Sequence, residues 1–207
     1  MEAKNTRISV TLLLLALATV AAYAQSPSIP ALATDISPLL VGESAPDLKV
    51  RNIEGKEESL KEILGRKPTV LIFYRGGWCP YCNVHLAELQ GIEKDILDLG
   101  YQVVGISPDS PASLKASVEK NELNYSLLSD SDLGAAKAFG LAFQAPEKYK
   151  EMLAGASGGD NSSGLLPVPA VFVFNTEGQI QFEYINPNYN TRIKGNMLKA
   201  VLASLSE

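Results

Sequence analysis

The chain has two cysteines, one histidine and one tryptophan in 207 residues, and nowhere do its lysines and arginines gather into a cluster. Each scarcity removes a class of function. The two cysteines, Cys79 and Cys82, are separated by two residues. A bond between them would close too short a loop to constrain much of the unfolded chain, so structural stapling is a poor explanation for the pair, and redox chemistry or metal binding a better one. With His85 as the sole histidine, the chain cannot supply the four Cys and His ligands of a closed structural zinc site. A net charge of −5 with no basic stretch lacks the electrostatic footprint of a nucleic-acid binder.

What is present begins with a long apolar run at the N-terminus. Lys4 and Arg7 lead into apolar residues 8–20, followed by the small-x-small site Ala22-Tyr23-Ala24. This is the layout of a secretory signal. We therefore expect a signal peptide over residues 1–24, export to an extracytoplasmic space such as the bacterial periplasm, and membrane contact only if the leader stays uncleaved. Residues 25–38, rich in Ser, Pro and Ala without periodicity, are expected as a flexible arm. The remaining 39–207 suit one domain with one core.

Along that domain, apolar periodicity alternates between strand and helix. Ser59 with Glu62 forms a capping box opening a short helix. Residues 69–74 are apolar and β-branched, as in a central strand buried on both faces. After Arg75-Gly76-Gly77, the positions Cys82, Leu86, Leu89, Ile92 or Glu93, Ile96 and Leu99 follow helical spacing up to Gly100. A second buried strand at 101–106 completes a βαβ unit. Further elements are expected as a helix at 111–121, a strand at 125–128, a helix at 132–139, paired strands at 170–174 and 179–184, and a last helix at 194–205. Residues 144–164 read as a long loop with one helical turn. The pattern predicts an α/β fold, a mixed sheet flanked by helices.

Strand, glycine turn, Cys-x-x-Cys, helix is an arrangement with chemistry in it. A cysteine at a helix N-terminus meets unpaired N–H groups and the positive end of the helix dipole, which stabilise a thiolate. Cys79 is thus the expected nucleophile, with Arg75 adding positive potential nearby. Cys82, one turn further on the buried stripe, is the expected resolving thiol. Pro80 suits the first turn, where a missing N–H goes unnoticed. Asn83 stands where a c-type haem would need histidine. The run Cys79, Cys82, His85 offers a copper(I) or zinc reading, but no further Cys or His closes a site, so no metal and no cofactor is assigned. The plain reading of His85 is a polar flank of the helix.

The run Phe73-Tyr74-Arg75-Gly76-Gly77-Trp78-Cys79-Pro80-Tyr81-Cys82 is preceded by Val41-Gly42-Glu43-Ser44-Ala45-Pro46-Asp47 and followed by Leu166-Pro167-Val168-Pro169-Ala170. Together they resemble the peroxiredoxin-like branch of the alkyl hydroperoxide reductase and thiol-specific antioxidant family, over residues 39–205. Asn188-Tyr189 and Arg192 resemble that branch too. The resemblance implies a thioredoxin-like fold and reduction of peroxides with electrons from a thioredoxin-type thiol partner. It also implies substrate-aligning roles for Trp78, Val168 and Pro169, with Pro169 cis, facing the cysteine pair and leaving the Val168 backbone free. Arg192 is a further candidate. The chain departs from the usual pattern at two places, carrying Ile72 and Gly76 where a proline and a hydroxyl residue are typical. Trp78 resembles thioredoxins and Cys-Pro-Tyr-Cys the glutaredoxins, which gives a second reading: thiol-disulfide exchange with protein disulfides. A copper-binding carrier of thioredoxin-like fold is the third.

Overall fold

Local sequence rules account for most elements of the computed structural model, which describes residues 28–206. The signal expected over residues 1–24 and the first residues of the expected arm lie outside the described residues. Strands β1 (Lys49–Arg51) and β2 (Glu57–Ser59) lead into helix α1 (Leu60–Leu64), whose N-cap Ser59 accepts the Glu62 N–H as the capping box requires. Strand β3 (Thr69–Phe73), helix α2 (Pro80–Asp98) and strand β4 (Gln102–Ser107) form the βαβ unit, β3 and β4 pairing in parallel. Ser110 caps α3 (Pro111–Asn121), with Pro111 in its first turn. Strand β5 (Ser126–Ser129), helix α4 (Gly134–Ala138), and the antiparallel strands β8 (Ala170–Phe174) and β9 (Ile180–Ile185) follow the expected order, as does the closing helix α6 (Gly195–Leu205).

The main sheet has the order β2-β1-β5-β4-β3-β8-β9 and is mixed, as predicted: β4 and β5 run parallel to β3, and β8 runs antiparallel to it. Period-two alternation divides each central strand between two cores. In β3, Leu71 and Phe73 join Phe139, Phe172 and Phe174 on one face, while Val70 and Ile72 join Cys82, Leu86, Leu89, Leu198 and Leu202 on the other. The sheet is covered on both sides, so β3 and β8 are buried along their whole length.

Two expectations change. Residues 28–38 are tied to the body: Gln144 donates its N–H to Pro30 O at 2.8 Å, Leu39 donates to Phe139 O, and Ile36 and Leu39 pack on the core. The segment 144–164 is more structured than a loop. Strand β6 (Ala142–Gln144) pairs antiparallel with β7 (Leu165–Pro167), and between them a 3-10 turn (Glu147–Tyr149) runs into helix α5 (Lys150–Ala156). Three-residue strands carry no readable alternation, which is why periodicity missed them.

Candidate active site

The cysteines sit where β3 hands over to α2. Gly76 turns the chain with φ +136°, a conformation open to glycine, and a Cβ there would come within 2.4 Å of Trp78 Nε1 and 2.7 Å of Asp109 Oδ1. A hydroxyl side chain therefore has no space at this position, which accounts for the departure from the family pattern. The loop is tied on both sides. Gly77 donates its N–H to the Asp109 carboxylate at 2.7 Å, and Asn83 Nδ2 donates to Gly77 O at 2.9 Å. Asp109 is itself buried and accepts from Ser107 Oγ at 3.1 Å; burial pushes its carboxyl up to about 6. Sequence reasoning passed over Asp109, whose only signal was its place directly after the β4 strand.

Cys79 is the N-cap of α2, with no side-chain capping bond, and Pro80 opens the helix. Both thiols are free and almost wholly buried, Cys79 at 1% exposure and Cys82 at 0%. The Cys79 thiol is lowered to about 6: the Cys82 side chain donates a hydrogen bond to its sulfur, the Cys82 N–H donates a second, and the Arg75 and Arg192 charges add to them, against burial. Cys82 moves the other way, raised by its bond to Cys79 and by burial. One proton is thus shared unequally, and the outer sulfur carries the negative charge.

Arg75 is buried and forms no ion pair among the described residues. Three aromatic rings cage its guanidinium: Tyr189 at 4.3 Å, Trp78 at 4.9 Å and Tyr149 at 5.2 Å. Trp78 and Tyr149 also stack on each other at 5.7 Å. Tyr149 was not singled out from the sequence and Tyr189 only by resemblance, since they reach the site from the turn before α5 and from the loop before α6. Trp78 thus positions Arg75, and its Nε1 finds no partner among the described residues. Val168 and Pro169 line a cavity of about 250 Å³ that opens beside Arg75, Tyr149 and Tyr189, and neither cysteine is among its lining residues. The expected backbone is not found: the described residues contain no cis peptide bond, and the Val168 N–H donates to Leu141 O at 2.9 Å. That N–H is held by the β6 end and is not free to align a substrate.

Arg192 reaches the pair from the far end of the chain. Its Nη2 lies 3.7 Å from Cys82 Sγ, and its Nη1 donates to the carbonyls of Tyr189 and Thr191. His85 is not a polar flank. It is buried, its Nε2 has no partner among the described residues, and burial with the Arg192 charge pushes it down to about 4, so it is neutral at physiological pH. No group of three His, Cys, Asp or Glu among the described residues is arranged to hold a metal ion. The helix places His85 one turn beyond Cys82 among its buried residues.

A lowered thiol capping a helix, with a raised thiol one turn behind it and two unpaired cations alongside, is the equipment of a thiol oxidoreductase built on a thioredoxin-like mixed sheet. Comparisons with known proteins make this particular. The AhpC/TSA family matches residues 41–183. The putative peroxiredoxin bcp of Helicobacter pylori is 34% identical over 170 residues, covering 81% of this chain and 98% of that protein. Peroxiredoxin Bcp of Escherichia coli is 31% identical over 106 residues, 51% of this chain and 67% of that protein. Among solved structures, Peroxidoxin BcpB from Mycobacterium tuberculosis matches with a TM-score of 0.62 at 21% identity, over 80% of this chain and 95% of that one. Peroxiredoxin Q of Xanthomonas campestris matches with a TM-score of 0.63 at 19% identity, over 82% and 98%. The chain belongs to the AhpC/TSA family, and is an oxidoreductase of its thiol peroxidase class.

Proposed function

We propose that this chain reduces peroxides through a Cys79/Cys82 couple, in an extracytoplasmic compartment, and is returned to the dithiol by a thioredoxin-type thiol partner. The Cys79 thiolate attacks one peroxide oxygen and the O–O bond breaks. Cys79 becomes a sulfenic acid, and the departing alkoxide or hydroxide leaves as alcohol or water once protonated. Cys82 then condenses with the sulfenic acid, forming the disulfide and releasing water. Two thiols of the partner reduce that disulfide.

The observation that carries this reading is the state of Cys79: ionised near neutrality yet 1% exposed. A sulfur so enclosed favours a small oxidant over a disulfide on a folded protein. With no hydroxyl at Gly76, the charge is stabilised by the Cys82 N–H, Arg75 and Arg192. Export rests on the leader pattern of residues 1–24.

Trp78, the sole tryptophan, is a built-in probe beside the site. Stopped-flow mixing of the reduced protein with hydrogen peroxide should show a fluorescence phase far faster than oxidation of a free thiol. Its rate should rise with pH through about 6 and then level, because Cys79 is protonated below that value and a thiolate above it. Cys79→Ser should be silent, and Cys82→Ser should stop at a sulfenic acid that dimedone traps. A wild-type rate no greater than that of glutathione overturns the assignment.

A further inference from the structure

In the reduced site, Cys82 cannot attack anything. Its proton is committed to the Cys79 sulfur and its own ionisation is suppressed by burial and by the neighbouring charge. Oxidation of Cys79 removes that neighbouring thiolate and leaves Cys82 to be ionised in the interior, where burial of an unaided charge is expensive. Two donors remain on its sulfur. One is the backbone N–H of Arg75, and the other is the Arg192 guanidinium at 3.7 Å. Arg192 forms no ion pair among the described residues; its other contacts are the neutral carbonyls of Tyr189 and Thr191, and the facing His85 is an uncharged imidazole. On α2, the Glu88 carboxylate accepts instead from the Gly195 N–H at 2.9 Å. The charge of Arg192 is thus left to sulfur.

We propose that Arg192 is a catalytic residue of the second step, its guanidinium seated on Cys82 Sγ to stabilise the thiolate that closes the disulfide. This rests on the peroxidase reading for its first oxidant but not for its chemistry. In closure, the S–S bond forms as the Cys79 S–O bond breaks. The oxygen departs as hydroxide and takes up the proton lost by Cys82, giving water. The Cys82 sulfur is oxidised and the Cys79 sulfur reduced, so no outside electron enters. Arg192 stays protonated throughout. Both arginine charges bear on the first sulfur, while the guanidinium that contacts the second is that of Arg192.

The test separates the phases. After one turnover with hydrogen peroxide, the first phase reports Cys79 oxidation, and the lifetime of the dimedone-reactive species reports closure. In Arg192→Gln, closure should slow about tenfold to a hundredfold, the range expected on losing a bond to a charged group. The first phase should change only a few-fold, since Arg75 remains. Arg192→Lys should recover most of the closure rate. Closure in Arg192→Gln within twofold of wild type, or equal slowing of both phases, overturns the proposal. Should that variant fail to fold, the unmodified chain still decides. Its closure rate should stay level well below the ordinary thiol range near pH 8.5, and a rate falling tenfold per pH unit from about pH 8 to 6 refutes a stabilised thiolate. Should hydrogen peroxide prove not to be the oxidant, a mixed disulfide of Cys79 with a small thiol, closed by Cys82 with release of that thiol, reads the same step.

Discussion

The two faces of the central sheet are packed from the same strands and differ in what they leave unpaired. On one face, Phe73, Phe139, Phe172 and Phe174 form a continuous aromatic cluster, with ring centroids 4.8 Å apart for Phe73 and Phe139 and 5.3 Å for Phe139 and Phe172. Its buried carboxylate, Asp130, is fully engaged, accepting the N–H groups of Ala135 and Ala136 at the start of α4. On the other face lie the cysteines, and there the buried Tyr74 hydroxyl, Trp78 Nε1, Asn83 Oδ1 and His85 Nε2 all lack partners among the described residues, against Glu183 Oε2, opposite Phe172, on the aromatic face. A buried polar atom without a partner costs roughly 1–3 kcal/mol, so this face gives up more stability than the aromatic face does. The difference marks one face as structural and the other as reactive.

The comparison breaks first at Phe139. Phe139→Ala should lower stability by about 3–5 kcal/mol in urea denaturation. The Cys79 ionisation, read by thiolate absorbance, should stay where it is in the folded fraction. A shift in the thiol would show that the faces are not independent.

The buried carboxylates come next, one per face. Asp109 is pushed up to about 6 and Asp130 to about 7, both chiefly by burial. Because each folded value exceeds the unfolded one, the contribution to stability is complete below about pH 4 and is lost as pH rises through about 6 and 7. Asp109→Asn and Asp130→Asn should each remove part of the decline between pH 4 and 8, about 2–4 kcal/mol apiece by the same linkage. Only Asp109→Asn should also alter the Cys79 ionisation, since Asp109 holds Gly77. Equal thiol shifts in both variants would refute the division.

The smallest effect is at the turn. Gly76→Ser should cost about 1–3 kcal/mol by overpacking against Trp78 and by the positive φ. It should displace the indole and slow peroxide oxidation despite supplying the family's usual hydroxyl. A faster peroxide phase would show that the turn yields and the hydroxyl is used.

Much of the fold was legible because its elements are local. The Ser59 cap, the start of α3 at Pro111 and the helical stripe from Cys82 to Ile96 are set by neighbours within a few residues. The cage around Arg75 was not legible, because Tyr149 and Tyr189 come from separate segments. Neither was the Arg192 contact, which spans 110 positions. His85 looked like a polar flank because its burial depends on which distant segments cover α2, and helical phase alone does not say so.

The sequence alone determined the chemistry available: two cysteines at a strand-to-helix turn, with a proline in the first turn and a glycine pair before it. Helix dipole and spacing act within a few bonds, so the linear order suffices for them. The tertiary structure decided how that chemistry is distributed. It buried both sulfurs, closed Gly76 to a side chain, kept the Val168–Pro169 bond trans with the Val168 N–H engaged, and placed the Arg192 guanidinium on Cys82. Burial and long-range charge depend on which distant segments meet, and no local pattern encodes that.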